Sequence, residues 1–227
     1  MITNQIMSQM DEWVSKTGNG RWADPERPDE PTPIQAVREE TRLLVEVLLG
    51  HSRRNRHHQE CGTSYRGCSP KCPMRQFESG EAHDSCLEIG LGEHGGGRYL
   101  WKMLFDNVVS IESDLEKIKR VSSQPPFGGT FIGMSSHDPK CVSNARIEAP
   151  YDFLYIDGDH LYDGVKQDYL DYAPMVRPGG IVAIHDYLLP DVNRFVHDLE
   201  RGEVDGKYHD LHRIVRSKHV GVAWEVV

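Results

Sequence analysis

The chain has 227 residues, enough for one domain with a sizeable core and an appendage. Its formal net charge of −9 argues against a polyanion such as nucleic acid as the main partner, because phosphate binding needs a basic face. Met1 to Val14 is polar and carries Asp11 and Glu12, which excludes a signal peptide, and no apolar run reaches the ~20 residues of a membrane span, so the expected location is cytoplasmic.

Residues 1–32 read as an extended arm, because Pro25, Pro28 and Pro31 lie among acidic residues. Trp13 and Trp22 on this arm could fold over a site or support a homo-oligomer. From Ile34 to Leu49 the pattern is helical, with Val37, Leu44, Val47 and Leu48 on one face and Arg38, Glu39 and Glu40 on the other; Gly50 is a plausible stop. Residues 1–50 are therefore expected to form an arm and helix that act as a lid.

Residues 51–85 break this order, being rich in Arg, His, Cys, Gly and Pro and too long for an ordinary connection. The chain has five cysteines, an odd number that argues against a disulfide framework. Cys61, Cys68 and Cys72 follow a C-x6-C-x3-C spacing, and with His58 they make a candidate structural zinc site; His57 and His83 are alternative fourth ligands. A mobile substrate lid with incidental thiols, or a disulfide within it, fits the same composition. Arg53, Arg54 and Arg56 form a basic run, either a solvated face or a binding place for an acidic substrate group. Cys86 reads as a core residue, and Cys141 has no partner in view.

From residue 86 to 227, short apolar runs alternate with helical patterns, which signals a parallel sheet with crossover helices. The runs are Cys86–Ile89, Val108–Glu112, Thr130–Ile132, Phe153–Asp157 and Ile181–His185. Helical stretches are expected at Arg98–Phe105, Leu115–Val121 and Tyr162–Met175, the last with Val165, Tyr169 and Tyr172 at i, i+4 and i+7. Arg177-Pro178-Gly179-Gly180 reads as a turn that ends this helix. Val192, Phe195, Val196 and Leu199 mark another helix, and His212–Val215 with Val220–Val226 read as a closing hairpin. The expected fold is α/β: a Rossmann-like, doubly wound, seven-stranded and mostly parallel sheet with an antiparallel C-terminal hairpin. An N-terminal arm and helix and a Cys/His-rich insert are added to it.

Two strand ends carry chemistry. At the first, Glu88-Ile89-Gly90-Leu91-Gly92-Glu93 places glycines where a strand turns into a helix, so backbone can approach a ligand closely. Glu112 ends the second run 22 residues after Gly90, a spacing that suits a carboxylate accepting ribose hydroxyls. Glu88 and Glu93 disfavour a diphosphate and favour a ligand with positive charge. The other strand ends are Ile156-Asp157-Gly158-Asp159-His160 and Ile184-His185-Asp186. If these strands are neighbours, Asp157 and Asp186 meet and want a cation between them; oxygen ligands suit Mg²⁺, Ca²⁺ or Mn²⁺, and an imidazole from His185 favours Mn²⁺, Fe²⁺ or Zn²⁺. Asp159 could simply cap the following helix.

The Glu88, Gly90, Gly92 pattern resembles the class I S-adenosylmethionine-binding fold. By that resemblance Glu88, Gly90 and Gly92 line the methionine part of the cofactor, Glu112 holds the ribose, Ser135 and Ser136 lie by the adenine, and Asp157 also binds the cofactor. Another nucleotide on a Rossmann-like fold fits the glycines as well. The run Asp157-Gly158-Asp159-His160, Arg177-Pro178-Gly179-Gly180, His185-Asp186 is similar to the metal-dependent O-methyltransferase family that includes the macrocin O-methyltransferases and the cephalosporin-hydroxylase-like proteins. That likeness implies methyl transfer to a small-molecule hydroxyl of a sugar or secondary metabolite. It makes His160 the general base and Asp157, His185 and Asp186 the ligands of Mg²⁺ or another divalent cation. His185 departs from the pattern, which often has a carboxylate there. Two other readings remain open: a metal-dependent hydrolase or lyase on the same residues, and a non-catalytic module that binds a partner through the insert.

Overall fold

A computed structural model describes residues 2–17, 22, 37–51, 85–123, 127–216 and 220–227. Among the described residues there are seven strands: β1 (Ser85–Ile89), β2 (Asn107–Ile111), β3 (Thr130–Ile132), β4 (Tyr151–Ile156), β5 (Val176–Ile184), β6 (His212–Ile214) and β7 (Val222–Val226). They form one sheet in the order β3-β2-β1-β4-β5-β7-β6. Pairing is parallel from β3 through β5, while β7 runs antiparallel to both β5 and β6. The expected sheet and closing hairpin are therefore present. The strand order reverses between β1 and β4, and in such sheets a crevice opens there beyond the carboxyl ends.

The helices are α1 (Ile2–Lys16), α2 (Arg38–His51), α3 (Gly96–Leu104), α4 (Leu115–Ser122), α5 (Pro139–Ile147), α6 (Tyr162–Tyr172) and α7 (Pro190–Glu200). Residues along each parallel strand alternate between two cores. Leu87, Ile89, Val109, Ile111, Leu154, Ile156, Val182 and Ile184 face α5, α6 and α7. Cys86, Val108, Phe153, Tyr155, Ile181 and Ala183 face α1, α2 and α3. Burial on both faces explains why the strands read as continuous apolar runs.

Four expectations change. The arm over residues 1–32 is helical over its first part: Ile6, Met7, Met10 and Val14 of α1 are buried against Leu44, Val45 and Leu48 of α2. Side chains of this size contribute about 1.5–3 kcal/mol each on full burial, enough to hold a helix that its polar intervening residues disguise. Residues 18–21 and 23–36 lie outside the described residues. The turn at Arg177-Pro178-Gly179-Gly180 is a bulge inside β5: Tyr151 pairs with Val176 and Phe153 with Ile181, so three extra residues bow out of the ladder. Gly179 has φ 76, and the bulge bonds to the C-terminal residue through Val227. Between β3 and β4 no helix is expected from the sequence pattern, yet α5 stands there, with Asp138 accepting from the Lys140 N–H as its cap and Pro139 opening it. The helix predicted at 34–49 runs from Arg38 through Gly50 to His51. Among the described residues, no helix is long and apolar enough to cross a membrane.

Candidate functional site

The strands end in a common row. The Gly90 N–H donates to Ile111 O at 2.9 Å, Glu112 N–H to Ile132 O at 3.1 Å, Asp157 N–H to Ile89 O at 2.9 Å and His185 N–H to Ile156 O at 2.9 Å. Each is the first residue beyond its strand, held by the neighbouring strand's last carbonyl. Two recesses open along this row. A cavity of about 520 Å³ is lined by Gly90, Gly92, Glu112, Ser135, Ser136 and Asp157, with His137 and His160 at its wall. A smaller pocket of about 70 Å³ is lined by Glu88, Trp101, Tyr155 and His185, and is closed over by Met10 of α1 and Glu40, Thr41 and Leu44 of α2. Gly90, Gly92, Glu93 and Asp157 border both, so one extended ligand can occupy the two.

Gly90 is required twice over. Its φ is 88, and a Cβ there would sit 1.9 Å from the Asp157 carbonyl oxygen. Glu112 is buried; its carboxylate accepts from the Asp114 N–H at 2.9 Å, from Lys117 Nζ at 3.1 Å and from the Leu91 N–H at 3.3 Å. Glu93 is paired with Arg120 at 2.7 Å, so its charge in the glycine turn is partly neutralised.

Glu88 lies inside the sheet face, between Ser110 and Tyr155 in register. It accepts from Ser110 Oγ at 2.5 Å and Trp101 Nε1 at 3.0 Å. Burial pushes its carboxyl up to about 7, against the pull of Ser110 and Arg98. Arg98 is fully buried and was not singled out from the sequence. Its guanidinium donates to Ser110 Oγ at 2.7 Å and to the carbonyls of Phe127, Val108, Thr130 and Gly128.

Asp157, His160 and Asp186 bring one ligand atom each to within 4.8 Å of one another. His160 Nε2 is 3.4 Å from Asp157 Oδ1 and 3.2 Å from Asp186 Oδ2. His185, expected as the third ligand, lies beneath: its Nδ1 is 3.1 Å from Asp157 Oδ1, and its buried Nε2 makes no hydrogen bond. Asp186 has φ 53, the one left-handed non-glycine residue among those described, a conformation that Asp tolerates. Burial works against the Asp157 charge, but the His185 and His160 rings hold its carboxyl down at about 2. The hydrogen bond to Asp157 raises His160 against its burial, and Asp157 and Asp186 raise the fully buried His185 well above the usual imidazole range. Two carboxylates facing each other thus demand positive charge between them, and the donor set fits a divalent cation. Asp159 accepts from the Leu161 N–H at 2.9 Å, ahead of α6. His57, His58, Cys61, Cys68, Cys72 and His83 lie outside the described residues; Cys86 and Cys141 are buried free thiols.

Residues 105–187 match the family model described as Methyltransferase domain. The sheet order above is that of a Rossmann-like fold, in keeping with the fold that the strand-end motifs imply. The chain is 31% identical over 120 residues to demethylmacrocin O-methyltransferase of Streptomyces fradiae, a match covering 50% of this chain and 29% of that protein. It is 37% identical over 60 residues to the uncharacterized protein R132 of Acanthamoeba polyphaga mimivirus, covering 23% of this chain and 27% of that one. The chain thus spans under a third of the curated relatives it matches. The solved structure of the O-methyltransferase TomG from Streptomyces achromogenes, in complex with S-adenosylmethionine, shares the fold with TM-score 0.54 and 15% identity. That likeness covers 97% of this chain and 89% of TomG.

Proposed function

We propose that the protein transfers the methyl group of S-adenosylmethionine to a hydroxyl of a small molecule, a sugar or a secondary metabolite, with a divalent cation at Asp157 and Asp186. The observation that carries the reading is the convergence, on one row of strand ends, of a nucleoside-sized cavity and a paired-carboxylate site. The cavity volume falls in the usual range for ligands of this size, roughly 300–1,000 Å³. Glu112 lines it as the acceptor for ribose hydroxyls, and Gly90 and Gly92 let the backbone approach the donor's sulfonium end. Glu88, buried beside Trp101, faces the pocket where the amino-acid end would lie, and a cationic ammonium there favours its ionised form.

When bound, a divalent cation lowers the pKa of a hydroxyl that it touches. Asp157 and Asp186 are the residues that would hold it, and Mg²⁺ or Mn²⁺ suits their oxygens. His185 Nδ1 fixes the Asp157 carboxylate from beneath, which makes it an orienting residue rather than a third ligand. His160 stands at the cavity wall with its side chain 41% exposed, open to an incoming acceptor. Its Nε2 is the proton acceptor for the substrate hydroxyl, and Asp157 and Asp186 stabilise the imidazolium that forms. Holding acceptor oxygen and methyl carbon in line is the remaining work, done by position.

Isothermal calorimetry of the full chain with S-adenosylmethionine and S-adenosylhomocysteine tests the donor assignment. Micromolar binding is expected, and no heat at millimolar ligand would refute it. Methylation of a hydroxyl acceptor that survives exhaustive chelation would remove the cation from the reading.

A further inference from the structure

Ser110 is fully buried within β2, so its hydroxyl has no water to bond and needs partners from the protein. Arg98 and Glu88 supply them, and the chemistry of the two fixes the direction of each bond. A guanidinium has donors and no acceptor, so the Ser110 oxygen, 2.7 Å from Arg98 Nη1, accepts. The one hydroxyl hydrogen is then given to Glu88 Oε2 at 2.5 Å. Oε1 of Glu88 accepts from Trp101 Nε1 at 3.0 Å, and an indole N–H also only donates. Both oxygens of Glu88 thus face donors, the arrangement that favours the charged carboxylate. Register sets Ser110 beside Glu88 across β1 and β2. Gly97 of α3 leaves the carboxylate its room, since a Cβ there would stand 2.3 Å from Oε1.

Arg98 is locked in this place. It donates to the carbonyls of Phe127, Val108, Thr130 and Gly128, and its guanidinium lies 3.9 Å from the centre of the Phe131 ring. Glu88 lines the smaller pocket, whereas Ser110 and Arg98 line neither recess and can act on a ligand only through Glu88. Burial pushes the Glu88 carboxyl up to about 7, and Ser110 and Arg98 are the largest pulls in the other direction.

We propose that Ser110, oriented by Arg98, is a positioning residue that keeps Glu88 an acceptor toward the ammonium of the methyl donor's amino-acid end. This deepens the donor assignment above and rests on it.

The test is calorimetry of the full chain at pH 8, above the raised Glu88 value, with S-adenosylhomocysteine and with 5′-methylthioadenosine. The second ligand shares the nucleoside and the sulfur but lacks the amino-acid end. The wild type is expected to bind S-adenosylhomocysteine at least about tenfold more tightly, the effect of a hydrogen bond to a charged group. Ser110→Ala should bring the two affinities within about threefold, with the loss falling on S-adenosylhomocysteine. A purely structural role for the hydroxyl would weaken both ligands alike and leave the ratio as it was. Ser110→Thr, which keeps the hydroxyl, should keep the wild-type ratio. A Ser110→Ala protein with the wild-type ratio overturns the assignment, and so does a folded Ser110→Thr protein with the alanine ratio. If the threonine variant does not fold, the alanine ratio decides alone. Equal wild-type affinity for the two ligands also overturns the proposal. A wild type that binds neither ligand removes the donor assignment itself, a result distinct from the others.

Discussion

Gly90 and Gly92 offer a controlled comparison, because both have positive φ and differ in what surrounds them. Gly90 has φ 88, and a Cβ there would stand 1.9 Å from the Asp157 carbonyl oxygen and 2.6 Å from its carbon. Gly92 has φ 63, and a Cβ there would meet nothing within 4 Å. Alanine in the left-handed region costs about 1–2 kcal/mol, and this is the whole expected loss for Gly92→Ala. Gly90→Ala adds the cost of displacing backbone, about 1–3 kcal/mol more by analogy with overpacked cores. In a chain of this size about 1 kcal/mol lowers the melting temperature by roughly 2–4 °C, so the Gly90 variant should melt clearly below the Gly92 variant. Its displaced carbonyl belongs to Asp157, so the Gly90 variant should also lose any stabilisation by added divalent cation, while the Gly92 variant keeps it. Scanning calorimetry with and without Mg²⁺ or Mn²⁺ measures both effects. Equal melting temperatures for the two variants would refute the steric reasoning that joins β1 to β4.

The cation site itself predicts that Mg²⁺ or Mn²⁺ at about 100 times its dissociation constant stabilises the wild type by roughly 2.7 kcal/mol, seen as a rise in melting temperature. Asp157→Asn and Asp186→Asn should abolish that rise, and Asn tolerates the φ of 53 at position 186, so loss of folding would not explain the second result. Glu88 has its carboxyl raised to about 7 from 4.5. A raised folded value means its contribution is full below the unfolded value and is lost as pH climbs through the folded one. Wild-type stability should therefore drop by about 3 kcal/mol between pH 4.5 and 8 relative to Glu88→Gln, whose amide can still accept from Trp101 and donate to Ser110. Urea titrations of the two proteins at pH 5 and pH 8 would show it, and parallel pH profiles would count against a buried, partly protonated Glu88. Arg98→Lys should cost about 3 kcal/mol or more, because an ammonium cannot reproduce the donors that tie Ser110 to four carbonyls; a loss under 1 kcal/mol would show that those bonds are dispensable.

The parts of this protein legible in its sequence are those where a short-range pattern has one physical meaning. Continuous apolar runs ending in Gly90, Glu112, Asp157 and His185 had to be strands buried on both faces, and the sheet is there. Helix α1 was hidden because its buried stripe, Ile6, Met7, Met10 and Val14, is interleaved with Asn, Gln and Ser. Only the tertiary partner surface on α2 and α3 makes that stripe worth burying. The signal for α5 was local and present, Asp138 before Pro139, but its apolar face is thin. Arg98 was missed for a different reason. It sits in a helical pattern where a charged residue normally faces water, and the partners that justify its burial come from distant loops.

The same logic explains how the candidate site is assembled from neighbouring strand ends. Asp157 follows β4 and His185 follows β5, so register brings them together, and the ladder bonds from the Asp157 N–H to Ile89 O and from the His185 N–H to Ile156 O hold them there. Register also points successive side chains in opposite directions, which is why His185 and Asp186 cannot both present a donor from the same side of an extended strand. The chain resolves the conflict at Asp186, whose left-handed backbone breaks the alternation and turns its carboxylate toward His160. His185 is left facing the pocket under α1 and α2. Replacing Asp186 by a residue that resists positive φ, such as Val, should therefore disable the cation site through the backbone even where the change of charge alone, tested by Asp186→Asn, leaves the fold intact.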